Sequence, residues 1–426
     1  MNSIKTCIVL LFVILNAFHC TDRITDPPVD EERIKLTLFD VSVQEVFIHV
    51  ALGEETAGGT VYVYRDMEQI AAYTSSVSDT VIYDSSLQEN TNYLYRAEIR
   101  RGGSVIVISN DLTVLTLLPS SRDFEWQTFT FGEHSSSILR DVAIIDENNI
   151  WVVGEIYMND EDGEPDPHAY NAARWDGETW ELKRIFYKNG LWSIRSILAF
   201  SSDDIWFDPW VYWDGNNYIE KEIPSILIGH GTNKMWGTSS DNFYVVGNNG
   251  LIAHYDGTQW RKLESGTTVG VIDIWGYENP VTGEEEIYCA VTDFVEYTER
   301  GVLKIVNKAV TEMIPREQEG GIASVWTNNG VPLYSSGHGV YRFATGDWKE
   351  ITIGTNAFTT EVRGTGLNDI FVSGHFGTIA HYNGVDWHIF PEVYNALYFS
   401  VAVRDNIVVA AGTRDGKAVV TIGRRQ

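Results

Sequence analysis

Cysteine, histidine, paired carboxylates and clustered tryptophans are the residues of this chain whose chemistry would show first. Cys289 sits in the strand-like run Glu286-Ile287-Tyr288-Cys289-Ala290-Val291 with no base beside it in sequence, so it reads as a small buried hydrophobe rather than a nucleophile. The other two cysteines, Cys7 and Cys20, fall in or at the end of an N-terminal apolar run, which leaves no disulfide framework. Asp160, Asp162 and Gly163 match the third, fifth and sixth places of a calcium loop, but Met158 and Ala169 stand where the first and last ligands belong. That segment reads as a solvated acidic loop, and neither a metal nor another cofactor is expected. Gly-rich phosphate loops, zinc-ligand spacings and nucleophile elbows are absent from the sequence. A formal net charge of -28 excludes nucleic-acid binding driven by overall charge.

The first twenty residues carry one basic side chain, Lys5, then an apolar run from Cys7 to Leu15, then Asn16 to Cys20. This pattern reads as an export signal. Cys20, followed by a polar stretch, resembles the acylation site of a bacterial lipoprotein. The resemblance implies a lipid on Cys20 and an outer-membrane or cell-surface location; ordinary cleavage near Ala17 or His19 would leave a periplasmic or secreted protein instead. No other stretch approaches about 18 uninterrupted apolar residues, so membrane contact is expected through the anchor only.

After a linker at 21–31, residues 32–117 read as short alternating strands, among them Thr60-Val61-Tyr62-Val63-Tyr64 and Val105-Ile106-Val107-Ile108. The stretch from Leu87 through Thr91 to Tyr93 resembles the corner of a fibronectin type III domain. That resemblance implies a sandwich in which Tyr93 bonds back to the backbone, acting as a spacer.

Beyond a second linker at 118–123 the chain repeats itself. Gly247-Asn248-Asn249-Gly250-Leu251-Ile252-Ala253-His254-Tyr255 matches Gly374-His375-Phe376-Gly377-Thr378-Ile379-Ala380-His381-Tyr382 at an offset of 127, three periods of about 42. Four strand signals per period predict a β-propeller over 124–426. Seven copies begin near Arg140, Ile194, Asn233, Val271, Ile322, Glu361 and Tyr398. The last copy lacks its outer strand, and Phe124 to Phe129 supplies a candidate to close the ring. The fold expected is therefore all-β, an immunoglobulin-like (fibronectin type III) sandwich followed by a seven-bladed propeller. The repeat resembles those of bacterial secreted propellers, which implies the fold and hardly any chemistry.

Of 14 tryptophans, twelve take repeat slots and read as packing, as do His254 and His381. Trp192 and Trp210 fit no slot. Strand alternation sends second-to-third turns and blade connections to one face, and there fall Trp192, Trp210, His230, Asn248, Asn249, Tyr297, His338, His375 and Phe376. These are the candidate ligand-binding residues. The function expected is a non-enzymatic envelope binding module for an unidentified extracellular or periplasmic protein or glycan. The alternative is a propeller glycosidase or lyase using acidic residues in the propeller pocket.

Overall fold

The computed structural model describes residues 28–426 apart from 54, 55, 57, 76–78, 297, 298, 318, 319 and 394. The proposed signal segment, Cys20 and Tyr297 lie outside the described residues. Among those described, seven four-stranded antiparallel sheets follow one another from residue 124 onward. Six are built in chain order, the first from Ile138–Asp146, Asn149–Ile156, Tyr170–Trp175 and Trp180–Lys183. The seventh takes Leu397–Arg404, Ile407–Arg414 and Lys417–Arg425 from the C-terminal end and Phe124–Phe131 from far upstream. Eight residue pairs, Ala418 opposite Phe131 through Arg425 opposite Phe124, join them. The sheets are the blades of a β-propeller, and that pairing removes both open edges at the seam.

The repeat explains why each blade folds locally. In blades 1, 2, 3 and 6 the third-to-fourth turn opens with Asp or Asn, whose side-chain oxygen accepts two backbone N–H groups, as Asp214 does from Asn216 and Asn217 and Asp256 from Thr258 and Gln259. The following Gly215 and Gly257 hold φ of 91° and 86°, which only glycine adopts freely. A second device spans the strands: Arg174 donates to Asn149, His254 meets Asn242 at 2.7 Å and His381 meets Asp369 at 2.9 Å. Burial, with lesser help from Lys308, pushes His254 down to about 4, so these histidines are neutral structural links. Cys289 is fully buried in an apolar cluster between blades 3 and 4. Among the tryptophans Trp192 alone is exposed, at 62%.

Residues 34–115 form a three-stranded sheet, Ile34–Val41, Glu45–Leu52 and Asp79–Ser85, facing a second sheet that contains Thr60–Arg65 and Asn92–Arg101. Val46, Ile48 and Val50 from one sheet and Val61, Val63 and Tyr95 from the other share one buried core. The Tyr93 hydroxyl accepts the Gln88 N–H at 2.9 Å.

This unit is a brace rather than a loose spacer. Phe39 and Phe47, on the face of the three-stranded sheet turned away from its own core, are buried with Trp326, Leu367 and Ile370 of blades 5 and 6. Asn328 donates to both oxygens of Asp40 at 3.1 and 3.0 Å, and Arg342 donates to Glu45 at 2.7 Å. The segment expected as a linker is itself pinned, with Ser120 near His381 and Arg122 paired to Asp386. All these contacts lie on the face carrying the first-to-second and third-to-fourth turns, here called the lower face. Among the described residues, none of these contacts reaches the opposite, upper face.

Burial pushes the Asp40 carboxyl up to about 6, against the opposing bonds from Asn328, Val41 and Asn329. The folded chain therefore holds this proton more tightly than the unfolded chain, and the stability it lends is lost as pH rises through that value. Asp40→Asn should gain on the parent across the same window, by up to about 3 kcal/mol once above it. Denaturant unfolding of both proteins from pH 4 to 8 measures this; curves that stay parallel would contradict it.

Candidate functional site

Five blades carry a β-bulge at one repeat position of the first strand: between Leu139 and Asp141, Val271 and Asp273, Ile322 and Ser324, Thr359 and Glu361, and Tyr398 and Ser400. A bulge kinks the strand and re-aims side chains. Here it sets two consecutive residues of each blade toward the axis, a small or ionised one at the waist and its predecessor on the upper side.

The waist residues form a continuous circuit. Ile197 N–H donates to Asp141, Met235 N–H to the Ser196 hydroxyl, Val325 N–H to Asp273, Val362 N–H to the Ser324 hydroxyl and Val401 N–H to Glu361. Asn233 donates to the Val271 carbonyl and Ser400 to Asp141, so every blade is bonded to the next. Two cations tie the circuit across its middle. Lys234 Nζ lies 2.6 Å from Asp141 and 2.7 Å from Glu361, and Arg363 pairs with Asp273 at 2.7 Å and Glu361 at 2.6 Å. Burial alone would push the Lys234 ammonium down, but Asp141 and Glu361 outweigh it and hold it above the usual lysine range. Likewise burial would raise Asp273, but Arg363 and Lys234 hold it below the usual carboxylate range.

Above this waist opens an axial funnel of about 240 Å³. Its wall is the ring of preceding residues, Arg140, Arg195, Asn233, Ile272, Ala323, Thr360 and Phe399, topped by Phe294 and Phe358. Blades 1 to 3 thus contribute a cationic and polar half, and blades 4 to 7 a largely apolar one. The half-buried Arg140 has its Nε buried without a hydrogen-bond partner. Burial and then the neighbouring Arg195 charge push its guanidinium below the usual arginine range, with Glu155 pulling the other way.

The rim of blades 4 to 6 is aromatic. Phe358 lies 6.2 Å from Phe294, 4.9 Å from His338 and 5.2 Å from His375, and His375 lies 6.3 Å from Phe376. Burial, then the His338 charge, lowers the His375 imidazole. Phe376 is 79% exposed and holds φ of 55°. Asn249, its repeat equivalent, holds the same φ of 55°. Asn tolerates the left-handed region, whereas a phenylalanine there stores strain that points to a role.

Among the residues predicted for this face, His338, His375 and Phe376 come together at that rim. His230, Asn248 and Asn249 form a second group, with His230 Nδ1 at 3.0 Å from the Asn248 carbonyl. Trp192 stands apart, its carbonyl held by Asn171 at 3.0 Å. Trp210 is half-buried, its ring packed 6.3 Å from Tyr187. In the acidic insertion, the Asp160 carboxylate accepts the N–H groups of Asp162 and Glu164, each at 3.0 Å. Sequence reasoning missed Arg140, Arg195, Phe358 and Phe399. Three of them directly precede a waist residue, and aligning the seven copies at that waist would have found them.

No family model matches this chain, and no curated protein sequence matches it. Among solved structures, YCF48 bound to D1 peptide is similar over 72% of this chain and 100% of its own length, at 13% identity and a TM-score of 0.53. YCF48 from Cyanidioschyzon merolae is similar over 70% of this chain and 98% of its own, at 14% identity and a TM-score of 0.51. At these identities the likeness shows the β-propeller fold alone.

Removing the central cation tests the waist. Lys234→Met leaves buried Asp141 without a cation and Glu361 with Arg363 alone, and should cost about 3–5 kcal/mol near neutral pH. A stranded carboxylate binds its proton more tightly folded than unfolded, so the deficit should shrink on acidification. Denaturant unfolding at pH 7 and pH 5 reads both effects, and a deficit that is absent or pH-independent would contradict the assignment.

Proposed function

We propose that this chain is a binding protein whose upper propeller face holds a segment of another protein. One observation carries the reading: Phe186, Trp192, Ile228, Phe294, Val295 and Phe376 are all exposed on second-to-third turns or blade connections. Elsewhere on the propeller, among the described residues, only Ile219 and Val385 are large, apolar and as exposed. Apolar side chains gathered on one face of a rigid scaffold favour a partner. The similar propeller solved with a D1 peptide supports a peptide as the kind of ligand such an architecture takes. Binding is favoured over glycan cleavage because Asp141, Asp273 and Glu361 at the axis are each paired to Lys234 or Arg363, whereas a glycosidase needs two carboxyl groups free to act on the sugar.

In this reading the protein is exported and held at the bacterial envelope by a lipid on Cys20. Residues 32–117 serve as a fibronectin type III-like brace, supported by the Tyr93 corner, and 124–426 as the propeller. Mass spectrometry of the mature N-terminus should find an acylated Cys20. An unmodified start near Phe18 or at Cys20 would overturn the anchor.

The face itself is tested on peptide and glycan arrays with the whole chain and a Trp192→Ser, Phe376→Ser double variant. Peptide features bound by the parent should be lost at least about tenfold by the variant, with melting unchanged because both side chains are exposed. Glycan binding without peptide binding, or a variant that retains the parent pattern, would overturn the reading.

A further inference from the structure

We propose that the axial funnel is a blind receptor for the C-terminal end of a peptide, with the terminal carboxylate on Arg140 and Arg195 and an apolar last side chain against Ile272, Phe358 and Phe399. This rests on the upper face being a peptide-binding face and names the part of the peptide it takes.

The argument starts from the floor. Lys234 and Arg363 with their three carboxylates close the axis at the waist, so a chain can enter the funnel but not thread through it. The funnel, at about 240 Å³, is smaller than the roughly 300–1,000 Å³ of sites that enclose drug-sized ligands. It suits one end of a chain rather than a folded element.

The wall decides which end. Two arginines face the cavity in a protein with a formal net charge of -28, and they repel one another there. Arg140 keeps a buried Nε unpaired, so its guanidinium is under-satisfied in the free protein. Guanidinium forks match carboxylates in geometry as well as charge. The floor competes weakly, since Asp141, Asp273 and Glu361 are each paired to Lys234 or Arg363 and their other oxygens accept backbone N–H groups from neighbouring blades. An α-ammonium would meet like charge and lose its water without a partner. Along the rest of the wall, Ile272, Phe358 and Phe399 offer apolar surface to the last side chain, so one residue with a free carboxylate satisfies both parts of the wall together.

The test uses the whole chain on synthetic octapeptide arrays presented three ways: tethered by the N-terminus with a free carboxylate, tethered likewise but amidated, and tethered by the C-terminus with a free amine. Free-carboxylate peptides ending in Leu, Ile, Phe or Met should bind, and amidation should weaken them by about ten- to a hundredfold. Arg195→Gln, at an exposed position, should weaken the same peptides without lowering the melting temperature; Arg140→Gln should do so more strongly. Peptides that bind equally when amidated, or through a free amine, and that still depend on Trp192 and Phe376, would overturn this proposal while leaving the face intact. No peptide binding in any presentation would overturn both.

Discussion

The pairing of Phe124–Phe131 with Lys417–Arg425 is the constraint on which the rest of this structure depends. Each blade buries its two sheet faces only against its neighbours, so an open ring would leave one apolar face at each side of the gap. With the seam closed, Phe129 and Phe131 join Val409 and Val420 in one core with blade 1, while Phe124 and Trp126 pack toward Phe371 and Phe390 of blade 6. The closing strand therefore fills both grooves beside its own blade. Only a closed ring brings Arg140 beside Phe399 and sets both arginines on the same cavity as Phe358.

At the axis, closure creates an electrostatic problem and two buried cations resolve most of it. Converging first strands bring three carboxylates together in a space with little water, which would be strongly unfavourable unpaired. Lys234 and Arg363 neutralise most of that charge, and the backbone N–H groups of neighbouring blades take the remaining oxygens. Apolar packing in their place would hold the blades about as well. What the polar circuit adds is direction, since each blade meets the next through a donor–acceptor pair that fixes its height along the axis. The same circuit gives the funnel a floor.

Much of this was legible in the sequence because propellers repeat. The paired segments from Gly247 and Gly374 set the period, Asp-Gly turns marked the outer hairpins, and an orphan Phe124-Glu125-Trp126 strand matched the strand missing at the C-terminal end. Strand alternation also sorted Trp192, His338, His375 and Phe376 onto one face. Two things stayed hidden. The docking of Phe39 and Phe47 on blades 5 and 6 depends on which face of a short sheet has two partners, and alternation marks both faces of that sheet as apolar. The funnel wall is built from one residue per blade, far apart in sequence and of six different types. Arg140 and Phe399 become neighbours only across the closed seam, and Phe376 declares itself only once its left-handed backbone is seen.

Native-state hydrogen exchange across the seam tests the central claim, that one cooperative closed ring supports the funnel. Amides of Gln127 to Thr130 and of Val419 to Ile422 should exchange only through global unfolding, with the same free energy as those of Val152 in blade 1 and Val372 in blade 6. If the Phe124–Phe131 strand instead opens at a clearly lower free energy while the first strands around the axis remain protected, the ring does not depend on its closure and the account fails.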